Sequence, residues 1–212
     1  MQSPVKRLLP FFILAAALAL AGLGALVMSL TDRNDAPSGA DAAGPALGGS
    51  FTLTAHTGER ISRGDFAGQY RLIYFGYSYC PDVCPLELAK MTRALRLLET
   101  RDAAVERVQP LFISIDPARD TPAQLAEYVP AFHPRLIGLT GSAEEIAAVA
   151  EAYRIHYARA EGGGAASASD DMYLMDHSSY ILFMGPEGQF IEVFTARETA
   201  TDIADAVADR LE

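Results

Sequence analysis

Cysteine, histidine and positive charge are all scarce in this chain, and each scarcity excludes something. There are only two cysteines in 212 residues, Cys80 and Cys84, so a disulfide framework is not available. A bond between them would close a very small loop and add little chain-entropy stabilisation. No cysteine stands near position 21, which excludes a lipid-anchored lipoprotein. Lysine and arginine number 17 against 27 acidic residues. Beyond residue 30 the count is 15 basic against 27 acidic, a net −12. That balance argues against a nucleic-acid partner, which requires basic surface. An acidic surface suits solubility, cationic partners or the attraction of metal ions. No internal repeat is visible, and there are only four histidines.

The apolar residues, by contrast, make up 50% of the chain. Lys6 and Arg7 precede an uncharged run over residues 8–30. About 20 apolar residues suffice to cross a bilayer, and basic residues ahead of the span predict a cytoplasmic N-terminus and an exported body. The run is longer than the core of a cleaved signal peptide. A cleavable signal remains the alternative, since Ala19-Leu20-Ala21 fits a small-x-small pattern. The expectation is an N-terminal anchor over 1–30, single-pass in a cell inner membrane, with the C-terminal domain in the periplasm. Residues 31–48 are rich in Ala, Gly, Pro, Asp and Ser and read as a flexible linker. The folded domain is expected over 49–212.

Within that domain, periodicity separates strands from helices. Residues 51–55 alternate like a half-buried strand, and residues 71–77 and 108–115 read as core strands. Leu88, Met91, Leu95 and Leu98 are spaced as one face of a helix over 86–99. Thr121-Pro122 reads as an N-cap and first helical residue, and Ser142-Ala143-Glu144-Glu145 as a capping box. Residues 136–139 read as a short strand. Residues 180–184 and 190–194 flank Gly185-Pro186-Glu187-Gly188, a hairpin, and an amphipathic helix follows over 200–211. Alternating strands and helices predict an α/β fold, a mixed sheet with helices on both faces. A cysteine motif opening the helix after a core strand is a thioredoxin-like layout.

The chemistry centres on Cys80-Pro81-Asp82-Val83-Cys84-Pro85. Positions four apart share a helix face. A helix N-terminus favours thiolates, which serve equally as nucleophiles and as metal ligands. Pro81 suits a first helical position, whereas Pro85 is hard to place inside a helix and predicts an irregular first turn. His56 reads as a solvated turn residue, His133 as a loop residue, and His156 as a surface or packing residue. His177 stands before the apolar segment 180–183 and after a Gly/Ala/Ser-rich stretch, where a thioredoxin-like sheet faces the cysteine-bearing helix start. Two thiolates and one imidazole form a soft three-ligand set suited to copper, Cu(I) in particular. A structural zinc site normally has four protein ligands. Met172, Met175 and Asp171 are the candidates for a fourth.

Phe75-Gly76-Tyr77-Ser78-Tyr79-Cys80-Pro81-Asp82-Val83-Cys84-Pro85 resembles the Sco/SenC family of copper-binding assembly proteins. So do residues 112–122, residues 132–141 and Asp176-His177-Ser178. The resemblance implies a thioredoxin-like domain on an N-terminal membrane anchor. It implies one copper ion, Cu(I) or Cu(II), held by Cys80, Cys84 and His177, with cytochrome c oxidase subunit II as the recipient at its CuA site and a copper donor chaperone upstream. It also implies a second role, reduction of the CuA-site cysteines by the same thiols. The protein is then a metallochaperone rather than an enzyme. A membrane-anchored thiol–disulfide oxidoreductase or peroxiredoxin-like enzyme is the alternative, and it needs the cysteines but not His177. A histidine after a mobile glycine-rich loop is expected to leave the metal first.

Overall fold

The structure, a computed structural model, describes residues 47–101, 103–160 and 173–212. The expected span over residues 8–30, its cleavage and most of the linker lie outside the described residues, as do Asp171 and Met172. Nine strands and four helices follow in chain order among the described residues. They are β1 (Thr52–Ala55), β2 (Arg60–Ser62), β3 (Tyr70–Gly76), α1 (Val83–Thr100), β4 (Val108–Ser114), α2 (Pro122–Tyr128), β5 (Ile137–Thr140), α3 (Ala143–Ala152), β6 (Tyr157–Arg159), β7 (Met175–His177), β8 (Ile181–Met184), β9 (Phe190–Phe194) and α4 (Ala200–Leu211).

Seven strands form one sheet in the order β2-β1-β5-β4-β3-β8-β9, and β6 and β7 form a separate antiparallel ribbon. β3 pairs with β4 in parallel and with β8 antiparallel, so the sheet is mixed as expected. β3 and β4 are the central strands, and all of β4 is buried, which accounts for their continuous apolar runs. Pro110 is tolerated inside β4 because pairing with β5 begins one residue later, at Leu111↔Ile137. Helices cover both faces. Tyr128 of α2 meets Phe112 at 5.5 Å between ring centroids, tilted by 48°, and α4 lies along α1. On the opposite face Tyr153, at the end of α3, meets Phe75 at 5.7 Å.

The caps follow the sequence reading. The Thr121 hydroxyl accepts from Gln124 N, and Ser142 and Glu145 form a reciprocal capping box. The start of α1 differs. The helix begins at Val83 with Asp82 as N-cap, so Pro81 lies outside it and Pro85 falls at the third helical position. There the missing N–H is one of the first four, which have no intrahelical acceptor. The expected conflict at Pro85 therefore does not arise.

Candidate metal centre

β3 delivers the chain to the cysteine turn at its C-terminal end. Cys80 N donates to Tyr77 O at 3.2 Å, closing the turn that carries Cys80. The Asp82 side chain makes no cap hydrogen bond; instead Cys84 N donates to Cys80 Sγ at 3.4 Å. Cys80 thus takes the place of a capping oxygen, and the positive end of α1 favours its thiolate. Cys80 is 9% exposed and Cys84 is fully buried. Both are free thiols.

His177 arrives on the separate β6–β7 ribbon. It is the last residue of β7, opposite Tyr157 of β6, and so it stands on a paired strand rather than in a loop. The glycine-rich stretch expected to be mobile lies outside the described residues. The His177 ring meets Tyr77 and Tyr74 edge-on, at 5.9 and 6.3 Å between centroids. Its Nδ1 lies 2.9 Å from Ser178 O, a carbonyl that can only accept, so Nδ1 carries the proton. Nε2 faces Cys84 Sγ at 3.4 Å. The Cys80 and Cys84 sulfurs and a His177 nitrogen all lie within 4.8 Å of one another, a Cys-Cys-His group that can bind a metal ion.

The two thiols are pushed apart in acidity. A hydrogen bond from Cys84, then His177 and backbone N–H groups, hold Cys80 down to about 3 against the opposing effect of burial. Cys84 is pushed strongly up by its bond to Cys80 and by burial. Cys80 is therefore the more acidic thiol and Cys84 the one that keeps its proton. A metal ion that takes that proton's place finds three soft donors already converged.

Several residues outside the Cys-Cys-His group hold this arrangement. Tyr77 Oη accepts from Met175 N at 3.2 Å, tying the cysteine turn to β7. Asp120 is fully buried and accepts from Ser78 N at 3.0 Å, Ser78 Oγ at 2.5 Å and Ser114 Oγ at 2.6 Å. Asp116 binds Arg119 Nε and the Tyr173 hydroxyl, each at 2.5 Å. The Arg119 guanidinium lies over the rings of Tyr173 at 3.6 Å, Tyr79 at 4.9 Å and Tyr77 at 5.6 Å. The loop after β4 thus grips both the cysteine turn and the approach to His177. The only local hint is the acidic pair Asp116 and Asp120, four residues apart.

The other histidines stay away from the centre. His133 is buried, with Nδ1 accepting from Arg135 N and Nε2 donating to Glu99. His56, expected to be merely solvated, accepts from Gly138 N through Nδ1. His156 is exposed. Met175, two residues before His177 on β7, is half-buried.

A thioredoxin-like α/β domain with a Cys-Cys-His group at a helix start is the class that fold and site define. The SCO1/SenC family profile matches residues 39–212, and the chain belongs to that family. The protein named sco1 of Schizosaccharomyces pombe is 43% identical over 163 residues, 77% of this chain and 60% of its own. A human relative, the mitochondrial SCO1 homolog, is 42% identical over 167 residues, 79% of this chain and 54% of its own. The chain thus spans little more than half the length of these relatives. The crystal structure of Arabidopsis thaliana ScoI with copper bound superposes with a TM-score of 0.71 at 39% identity, covering 78% of this chain and 98% of that one. BsSco, a member of the Sco family of cytochrome c oxidase assembly proteins, shares the fold at 21% identity with a TM-score of 0.57.

These findings correct the expected location. The human and Arabidopsis thaliana relatives are named mitochondrial. The assignment to a cell inner membrane with a periplasmic domain is overturned.

Proposed function

We propose that this protein is a metallochaperone for cytochrome c oxidase assembly, binding one copper ion through Cys80, Cys84 and His177 and passing it to the CuA site of subunit II. The observation that carries this reading is the convergence of two sulfurs and one imidazole nitrogen within 4.8 Å. The donor set suits copper. Thiolates favour Cu(I), and imidazole suits Cu(II) as well. Three protein ligands leave the ion open to an incoming donor from the recipient, so transfer proceeds by ligand exchange without release of free copper. The hydrogen bond from Nδ1 to Ser178 O orients the imidazole for its part in this exchange. Exposed apolar side chains stand within three residues of each ligand, Tyr79, Leu86 and Leu174, and offer a contact surface for the recipient.

The lowered pKa of Cys80 supports an accessory role. An ionised Cys80 attacks a disulfide in the recipient, one recipient thiol leaves, and Cys84 then resolves the mixed disulfide. The recipient gains two electrons, one proton from Cys84 and one from solvent, and Cys80 and Cys84 end as a disulfide. This would prepare the recipient's cysteines for copper.

The deciding experiment measures copper bound by the reduced, metal-free protein. Wild type is expected to hold one copper per chain, Cys80→Ser/Cys84→Ser none, and His177→Ala to bind more weakly and lose Cu(II). If wild type binds no copper tightly while its cysteines cycle with a disulfide substrate, the oxidoreductase reading replaces the chaperone.

A further inference from the structure

Arg71 is the largest fully buried side chain among the described residues, at 1% exposure. It is the second residue of β3, in line with Ile73 and Phe75 on the face that meets Tyr153. Its guanidinium makes one hydrogen bond, Nη2 donating to Gly185 O at 2.6 Å. Nε is buried with no partner at all. The nearest charged group is a second cation, Arg63, which is half-buried and donates from Nη1 to Glu187 O at 3.1 Å. No carboxylate among the described residues pairs with either one.

A buried cation without a counter-charge is among the most costly groups a fold can hold, and a like charge beside it adds repulsion. The two guanidinium groups also converge. A Cβ placed on Gly188 would lie 3.3 Å from Arg63 Cζ and 3.6 Å from Arg71 Nη2. Gly188 has a φ of 94°, a left-handed conformation suited to glycine, in the turn between β8 and β9. The absence of a side chain there makes room for the Arg63 guanidinium, whose Nη1 is the atom nearest that position, so the two cations are packed together at the turn. Arg63 also lines a hollow of about 440 Å³ with Gly48, Gly49, Ser50, Gly188 and Gln189; Arg71 is not among its lining residues. The Ser50 hydroxyl and the Gln189 amide can add neutral donors at its rim.

We propose that Arg63, reinforced by the unpaired charge of Arg71 beside it, holds an oxyanion at the turn between β8 and β9, in the form of a phosphate group. Guanidinium forks match the paired oxygens of phosphate, and a bound dianion would supply the charge that Arg71 lacks. The phosphate comes either from the free anion or from a lipid headgroup. The site lies at the opposite end of β3 from the cysteine turn, and nothing in it rests on the copper reading.

The test uses the full, metal-free chain in a non-ionic detergent. Thermal unfolding is followed as inorganic phosphate replaces chloride at constant ionic strength. A bound anion at saturation raises the midpoint by about 3 °C, and the rise disappears in Arg71→Met and in Arg63→Gln. Arg71→Met keeps the apolar stem of the side chain; should it fail to fold, Arg63→Gln at the half-buried position carries the test. A second arm measures co-sedimentation with phosphatidylcholine vesicles, with and without phosphatidic acid. Binding that requires phosphatidic acid and is lost in the variants assigns the headgroup; stabilisation by free phosphate without it assigns the free anion. If neither arm responds, or if the responses survive in the variants, the proposal is overturned.

Discussion

Position 76 shows how little room the centre has. A Cβ on Gly76 would lie 2.9 Å from Cys84 Sγ, 2.9 Å from Tyr74 Cε1 and 3.2 Å from Phe112 Cε2. The end of β3 can pass beneath α1 at this distance only without a side chain. Gly76→Ala should therefore displace the Cys84 sulfur, costing about 1–3 kcal/mol in urea unfolding and weakening copper binding. Unchanged copper affinity would show that the sulfur can shift freely. Asp120 acts at one remove. Three donors point at its buried carboxylate, two of them from Ser78 in the cysteine turn. Asp120→Asn turns one acceptor into a donor facing donors, an expected loss of about 1–3 kcal/mol. With the turn loosened, copper affinity should fall about tenfold or more, measured by competition with a copper chelator. A stability loss with full copper affinity would restrict Asp120 to a structural role.

At the scale of elements, the site sits where a strand, a helix start and a ribbon meet. The ribbon of β6 and β7 is short, and Ser178 N donating to His156 O at 2.8 Å extends its pairing past His177. The helix start is irregular at the N-cap, where Asp82 has φ −138° and ψ −80°. Pro85 is not the source of a helix break, because its position needs no N–H. Pro85→Ala is expected to change unfolding free energy by less than about 1 kcal/mol, through the added freedom of the unfolded chain. A loss of several kcal/mol in a urea titration would mean that the proline ring itself holds the turn. The ordinary caps of α2, α3 and α4 contrast with this start: each uses a side-chain oxygen, whereas α1 uses a sulfur.

For the whole molecule, stability should depend on pH in two separate windows. Burial holds the His133 imidazole below its usual 6.5, even with Glu99 opposing. The unfolded chain then takes the proton first, so stability present above pH 6.5 is lost as pH falls below that value. The capping carboxylates Asp65, Glu145 and Asp202 are held below their usual values of 3.8 and 4.5 by hydrogen bonds from Ser62, Arg60 with Ser142, and Thr199. Their contribution is present above the unfolded values and is lost as pH falls through the lower folded ones. Asp120 runs the other way, since burial raises its pKa and disfavours its charged form as pH rises past 3.8. Urea midpoints between pH 3 and 8, taken in a Cys80→Ser/Cys84→Ser background to silence the thiols, should fall in both windows. His133→Gln should flatten only the upper one; a fall from pH 6.5 that survives the substitution would assign it to another group.

By itself the sequence determined what depends on neighbours along the chain. The CxxxC pair after a core strand, the strand periods, Thr121-Pro122 and the Ser142–Glu145 box were legible because spacing and capping act over a few residues. The choice of His177 among four histidines drew on an expected fold, and only the sheet order put it in place. β8 lies beside β3, and this brings His177 to Cys84 across 93 residues of chain. The grip of Asp116, Arg119 and Asp120 on the cysteine turn depends likewise on β3 and β4 ending side by side. The start of α1 at Val83 and the meeting of Arg63 with Arg71 at Gly188 were also decided only in three dimensions. Local patterns record which face a residue occupies, whereas long-range contacts depend on which strands the assembled core places together.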